Sequence, residues 1–208
     1  MKQIFLHGLG QTPASWEKTI CKLETAENAV CPSLPELIQG KPATYANLYK
    51  AFSSFCEEMG TPVDLCGLSL GGILALNYAE EHPERVNSLV LIGAPYKMPK
   101  HILRFQNAVF RFLPSTSFAE LGFDKSQFLQ LCSSMADLDF TSLLPRISCP
   151  VLVLCGQKDL ANKNACRKLA QLVQQGHFQS VDRCGHEVNA EAPEALAALL
   201  RDFYDGSK

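Results

Sequence analysis

Short apolar runs alternate along this chain with longer segments in which apolar residues recur every three or four positions. A parallel strand buried on both faces reads as a continuous apolar run, and the helix that covers it reads at a period of 3.6. The alternation therefore predicts repeated β-α units in an α/β fold. Strands are predicted at Gln3–Leu6, Ala29–Cys31, Val63–Cys66, Ser88–Ile92, Val151–Cys155 and Phe178–Val181, giving a mostly parallel, doubly wound sheet of about six strands. Helices are predicted to begin near Ala14, Thr44, Leu70, Asn162 and Pro193.

One interruption runs from Tyr96 to about Pro145, where no buried strand is evident and Phe105, Phe110, Phe112, Phe118, Phe123 and Phe128 crowd together. It is expected to be a helical lid over residues 96–145, inserted into a core made of residues 1–95 and 146–208. Its first helix should start at Pro99 and end before Pro114, with Ile102, Phe105, Val109 and Phe112 on one face. His101, Arg104 and Arg111 then share an adjacent face, and Asp and Glu are absent from Pro95 to Ala119. Such a face is either solvated or able to recognise a substrate carboxylate or phosphate. With no repeats and no dividing linker, residues 1–208 are expected to form a single domain.

At 47% hydrophobic residues the chain can bury a large core without crosslinks. A net charge of −2, with no long block of like charge, argues against nucleic acid or a membrane surface as partner. The apolar run at Ile4–Leu6 is too short for a secretory leader, and no stretch approaches the roughly 18 apolar residues of a membrane span. None of the nine cysteines forms a C-x-x-C pair, so neither a metal site nor a dithiol motif is indicated. A cytoplasmic protein without cofactors is expected, with Cys66, Cys149 and Cys155 acting as small buried hydrophobes.

The chemistry concentrates at Gly67-Leu68-Ser69-Leu70-Gly71, which lies between a predicted strand and a predicted helix. A serine there sits on a turn so tight that its flanks must be very small, and the turn lifts the hydroxyl into a cleft. A serine hydroxyl also needs a base, and the base needs an acid to hold its tautomer. Asp159 follows the run Val151–Cys155, and His186 follows the last predicted strand, so both fall at strand carboxyl ends, where ligands bind in open α/β sheets. His7 ends the first strand, His82 and His101 fall on predicted helices, and His177 precedes its strand. Asp159 also fits a second role, capping the helix near Asn162. Asp64 lies at the wrong strand end and reads as a sheet-edge residue. The turn His7-Gly8-Leu9-Gly10 offers the Leu9 N–H, and the helix start offers the Leu70 N–H, as donors to a developing oxyanion.

Taken together, His7-Gly8-Leu9-Gly10 with Trp16, Gly67-Leu68-Ser69-Leu70-Gly71-Gly72, Gly93-Ala94-Pro95, Gly156-Gln157-Lys158-Asp159 and Gly185-His186 resemble the α/β-hydrolase superfamily over nearly the whole chain. The arrangement is most similar to small lidded esterases, including pimeloyl-ester carboxylesterases, and to menaquinone-pathway lyases of the same fold. The family usually has two strands before the one carrying His7, so one sheet edge should be shorter here. The lyases carry an arginine where this chain has Ile73, which weighs against them. The resemblance implies a catalytic triad of Ser69, Asp159 and His186, an oxyanion hole at Leu9 and Leu70, and Trp16 near the substrate; from the faces of the expected lid helix, Arg104, Phe105 and Arg111 are the other candidate substrate contacts. It implies hydrolysis of a small-molecule ester or thioester. C–C or amide hydrolysis and a lyase step on the same triad are the enzymatic alternatives, and a non-catalytic ligand-binding role is the other.

Overall fold

The computed structural model describes residues 1–98, 114 and 122–206. Its strands are β1 (Gln3–Leu6), β2 (Ala29–Val30), β3 (Val63–Leu68), β4 (Val86–Ile92), β5 (Val151–Gly156) and β6 (Gly176–Val181). They form one sheet in the order β2-β1-β3-β4-β5-β6, and every pair is parallel. The helices among the described residues are α1 (Glu17–Ile20), α2 (Leu34–Leu37), α3 (Tyr45–Glu58), α4 (Leu70–Glu81), α5 (Lys125–Ser134), α6 (Lys163–Leu172), α7 (Val188–Glu191) and α8 (Pro193–Gly206).

That strand order fixes where a ligand can enter. From β1 the chain moves outward to β2, returns past β1 to β3, and then advances in one direction to β6. The loops after β1 and β3 therefore leave in opposite directions and open a crevice at the carboxyl ends of these two strands. Ser69 and the turn at Leu9 flank this crevice.

Alternation along the strands sends successive side chains to opposite faces. Ile4, Leu6, Leu65, Leu89, Leu91 and Val153 pack with Leu48 and Phe52 of α3 and Leu74 and Tyr78 of α4. Phe5, Cys66, Leu68, Val90, Ile92, Leu152 and Leu154 pack on the other side with Trp16, Leu196 and Leu200. Cys66, Cys149 and Cys155 are all buried, as expected of small hydrophobes. Asp64 does lie at the amino end, but β3 is interior, so it is a buried residue accepting a 2.7 Å hydrogen bond from Ser88 Oγ and not an edge residue. His177, expected to precede the last strand, lies within β6.

The expected lid is only partly open to description. Its first helix, with His101, Arg104, Phe105 and Arg111, lies outside the described residues. The second half packs onto the main core: Phe123, Phe128, Leu131 and Phe140 join the cluster that holds α3 and α4. Helix α5 carries a full capping box between Asp124 and Gln127, and the Tyr45 N–H of α3 donates to Ser134 Oγ at its other end at 2.8 Å.

Helix α4 sits unusually close to the sheet. A Cβ on Gly71 would overlap the Leu6 carbonyl of β1, and one on Gly67 would overlap the Gly71 carbonyl. Neither obstacle is a flexible side chain, so backbone has to move. We expect Gly71→Ala to cost about 3 kcal/mol or more, read as a large fall in Tm or loss of soluble protein. Gly206→Ala, with nothing within 4 Å of the added carbon, is the control and should change stability by no more than about 0.5 kcal/mol.

On the same helix, the Glu80 carboxyl is buried with no hydrogen-bond partner on either oxygen among the described residues. Burial first, and the charge of Glu81 next, push it up to about 8 against the opposing Arg146. Between its ordinary value of 4.5 and about 8 only the folded carboxyl keeps its proton, so its contribution is full below 4.5 and is lost as pH rises through 8. Glu80→Gln should therefore stabilise the protein at pH 8.5 by roughly 2–4 kcal/mol and by much less at pH 5. Equal shifts in Tm at the two pH values would mean that Glu80 is not buried in its neutral form.

Candidate active site

Ser69 joins the end of β3 to the start of α4 at φ 51° and ψ −113°, one of two non-glycine residues with positive φ among the described residues. A conformation of this kind costs about 1–3 kcal/mol and persists only where its surroundings hold it. Here its N–H donates to the Ile92 carbonyl of β4 at 2.9 Å, and its carbonyl accepts from Ile73 N at 2.9 Å as α4 begins. Its hydroxyl makes no capping bond to the helix. The half-buried Ser69 side chain is thus not spent on capping the helix.

Asp159 lies three residues beyond β5 and is buried, whereas His186, beyond β6, is partly exposed. His186 Nδ1 and Asp159 Oδ2 are 2.7 Å apart. Because the carboxylate can only accept, Nδ1 carries the proton and Nε2 is left as the basic nitrogen. Burial alone would raise the Asp159 carboxyl, but hydrogen bonds from His186 and Asn162 outweigh it and hold it below its ordinary value. Both loops cross closely beyond the strands: Lys158 N–H donates to Cys184 O at 3.0 Å, and Gln157 N–H to Val181 O at 2.8 Å.

Gly93 is the floor on which these pieces meet. It follows β4 at φ 56°, and a Cβ there would lie 2.9 Å from His186 Cε1 and 3.4 Å from Asp159 Oδ2. Its neighbour Ile92 holds Ser69, so Ser69, Asp159 and His186 gather at the carboxyl ends of β3, β5 and β6 around the end of β4.

Across the crevice, Gly8 to Gln11 forms a turn closed by Gln11 N–H to Gly8 O at 3.1 Å, with Gly10 at φ 88°. His7 is a strut beneath it. Its Nδ1–H donates to the Gly8 carbonyl at 2.9 Å and its Nε2 accepts from Leu34 N–H at 3.1 Å. Burial lowers its pKa, opposed by the bond to Gly8, which suits this neutral imidazole. Neither the Leu9 nor the Leu70 N–H has a partner among the described residues. Trp16, expected as a possible substrate contact, instead lies wholly inside the core, with its ring 5.3 Å from that of Phe5. Among the described residues no three His, Cys, Asp or Glu side chains assemble as a metal site, and no helix is long and apolar enough to cross a membrane.

Asn162 was not anticipated as a site residue. Its Nδ2 lies 3.0 and 2.9 Å from the two Asp159 oxygens, and its N–H donates to Oδ1 at 3.2 Å. The signal was available, since an aspartate side chain commonly accepts a backbone N–H a few residues further along the chain. Asp159 thus takes the Asn162 N–H on one oxygen and holds His186 with the other, while its backbone carbonyl accepts the first amide of α6, Lys163 N–H, at 3.2 Å. Glu191 was also missed; its carboxylate accepts from Gly185 N–H at 2.8 Å and steadies the loop that carries His186.

The model of the alpha/beta hydrolase family matches residues 3–199, and the chain belongs to that family. A pimeloyl-acyl-carrier-protein methyl ester esterase of Aromatoleum aromaticum is 26% identical, the match covering 98% of each chain. Monoacylglycerol lipase abhd6-B of Xenopus laevis is 23% identical over 96% of this chain and 74% of its own length. Among solved structures, the enol-lactonase of Burkholderia xenovorans superposes with a TM-score of 0.85 at 18% identity, covering 98% of this chain and 91% of the other.

Removing Asn162 should release the Asp159 carboxylate and raise its pKa toward 3.8. A carboxyl held low stabilises the fold above 3.8, and that contribution is lost as pH falls through its folded value. Asn162→Ala should then unfold at higher pH on acid titration than the unmodified chain, followed by circular dichroism. An unmoved acid midpoint would show that Asn162 does not hold the carboxylate in its charged form.

Proposed function

We propose that this chain is a serine hydrolase that cleaves a small carboxylic ester or thioester through an acyl-enzyme intermediate. The observation that carries this reading is the pairing of a positive-φ Ser69, its hydroxyl unused by the helix behind it, with the 2.7 Å His186–Asp159 contact around the same strand end. The family membership and the esterase and lipase names of the relatives support ester hydrolysis as the reaction class.

The chemistry follows from the donors and acceptors. His186 Nε2 takes the Ser69 proton as Oγ attacks the acyl carbonyl carbon, and Asp159 stabilises the imidazolium through Nδ1–H. The carbonyl π pair moves onto oxygen, where the N–H groups of Leu9 and Leu70 donate to the oxyanion, aided by the positive end of the α4 dipole. Collapse of this tetrahedral species expels the alcohol or thiol, which leaves with the proton from His186. Water, deprotonated by the same Nε2, then attacks the acyl-serine. The acid departs and Ser69 recovers its proton.

Ile73 stands where the lyases of this fold carry arginine, which favours hydrolysis over the lyase step. The acyl group is open to direct test. A panel of esters graded in chain length, with and without a terminal carboxylate, would rank the substrates.

Ser69→Ala should lower turnover of short p-nitrophenyl esters by roughly 10³-fold or more while the circular dichroism spectrum is unchanged. A fluorophosphonate should add its mass at Ser69 in the folded protein and nowhere in the variant. Retained ester turnover in Ser69→Ala would remove Ser69 as the nucleophile.

A further inference from the structure

Beneath the proposed oxyanion turn lies a buried polar pair that no step above uses. Gln11 closes the turn, and Asn189 lies in α7, three residues after His186. Both are buried, Asn189 completely. Their amides pair reciprocally: Gln11 Nε2 donates to Asn189 Oδ1 at 3.2 Å, and Asn189 Nδ2 donates to Gln11 Oε1 at 3.1 Å. Gln11 Oε1 also accepts the Gly8 N–H at 3.2 Å, and Asn189 Nδ2 also reaches Ser15 Oγ at 3.1 Å. These bonds fix the amide orientations, because the Gly8 N–H requires an oxygen opposite it.

A buried amide pair is costly to leave incomplete, by about 1–3 kcal/mol for each orphaned group, so once formed it holds its two loops in one register. The register matters because of what the loops carry. With Gly8 N–H spent on Gln11 and Gly8 O accepting from both Gln11 and His7, the Leu9 and Gly10 N–H groups are the amides of the turn with no partner among the described residues, and Leu9 is the one proposed above as the oxyanion donor. The other loop carries His186. We propose that Gln11 and Asn189 are positioning residues: as a clamp between the β1 turn and the His186 loop, they set the distance between the oxyanion donor at Leu9 and the general base.

This inference rests on the serine-hydrolase reading above and deepens it. Neither side chain is placed on the substrate, so the clamp acts on the transition state through Leu9 and His186 and not on ground-state binding.

The test is a double-mutant cycle on Gln11→Ala, Asn189→Ala and the double variant, assayed below every Tm with p-nitrophenyl butyrate and with a fluorophosphonate. Each single change should lower kcat about 10- to 100-fold with KM within about threefold, and slow Ser69 labelling by a similar factor. The double variant should be no more than about threefold below the poorer single, because either change opens the whole clamp. Singles that lose Tm but keep kcat, or losses that multiply in the double variant, would overturn the proposal. If the alanine variants do not fold, the near-isosteric Gln11→Glu and Asn189→Asp are read by the same criteria. Failure of these to fold as well would make the pair a folding element and overturn the proposal. If the unmodified chain neither labels nor turns over, it is the hydrolase reading that fails, and the clamp falls with it.

Discussion

Helix α4 lies so close to the sheet that a Cβ on Gly71 would overlap the Leu6 carbonyl and one on Gly67 would overlap the first turn of the helix. Much of the crevice follows from that contact. A chain that must leave β3 and enter a helix at this distance has no room for a relaxed turn, so Ser69 takes a conformation that costs energy and presents its side chain outward. The same turn puts the first amide of α4, that of Leu70, directly after Ser69. The sheet cores on either side, built from β1, β3, β4 and β5, supply the burial that offsets the strain.

Three buried carboxyls show how differently one chemical group behaves in one fold. Glu80 has no donor among the described residues and is driven upward by burial. Asp64 has one, Ser88 Oγ, and is still raised, because burial outweighs that bond and the chain's amino terminus. Asp159 meets the His186 ring, the Asn162 amide and a backbone N–H, and ends below its ordinary value. Burial penalises the charge in every case. What differs is the number of donors the backbone brings within reach, and only the carboxyl end of β5 brings enough.

Much of this architecture was legible in the residues alone. β1, β3 and β5 are apolar runs buried along their whole length, and their boundaries agree with the pattern to within two residues. β6 began two residues earlier than expected because it is an edge strand, and an edge strand carries exposed polar positions such as His177 without leaving the ladder. Ser69, Asp159 and His186 could be placed because each lies within five residues of a strand's carboxyl end, so strand polarity sends them to one side. Gln11, Asn189 and Asn162 could not be placed so easily. An amide has no periodicity and no charge to betray it, and its role depends on which loops meet in space. Trp16 misled for the opposite reason: its place just after the β1 turn suggested the crevice, whereas the 3₁₀ turn Pro13–Trp16 directs it into the core against Phe5.

The span between Gln11 and Asn189 is 178 residues. A link of that length cannot guide the early chain, since closing so large a loop is unfavourable until many other contacts have already drawn its ends together. The Gln11–Asn189 pair can consequently hold the two loops in register only once β6 has joined the edge of the sheet and α7 has formed. Without Asn189 the loop after β1 loses this tie to the loop that carries His186. The pair that joins the two sides of the crevice is thus one of the longest-range links in the chain, and it can close only when the last elements are in place.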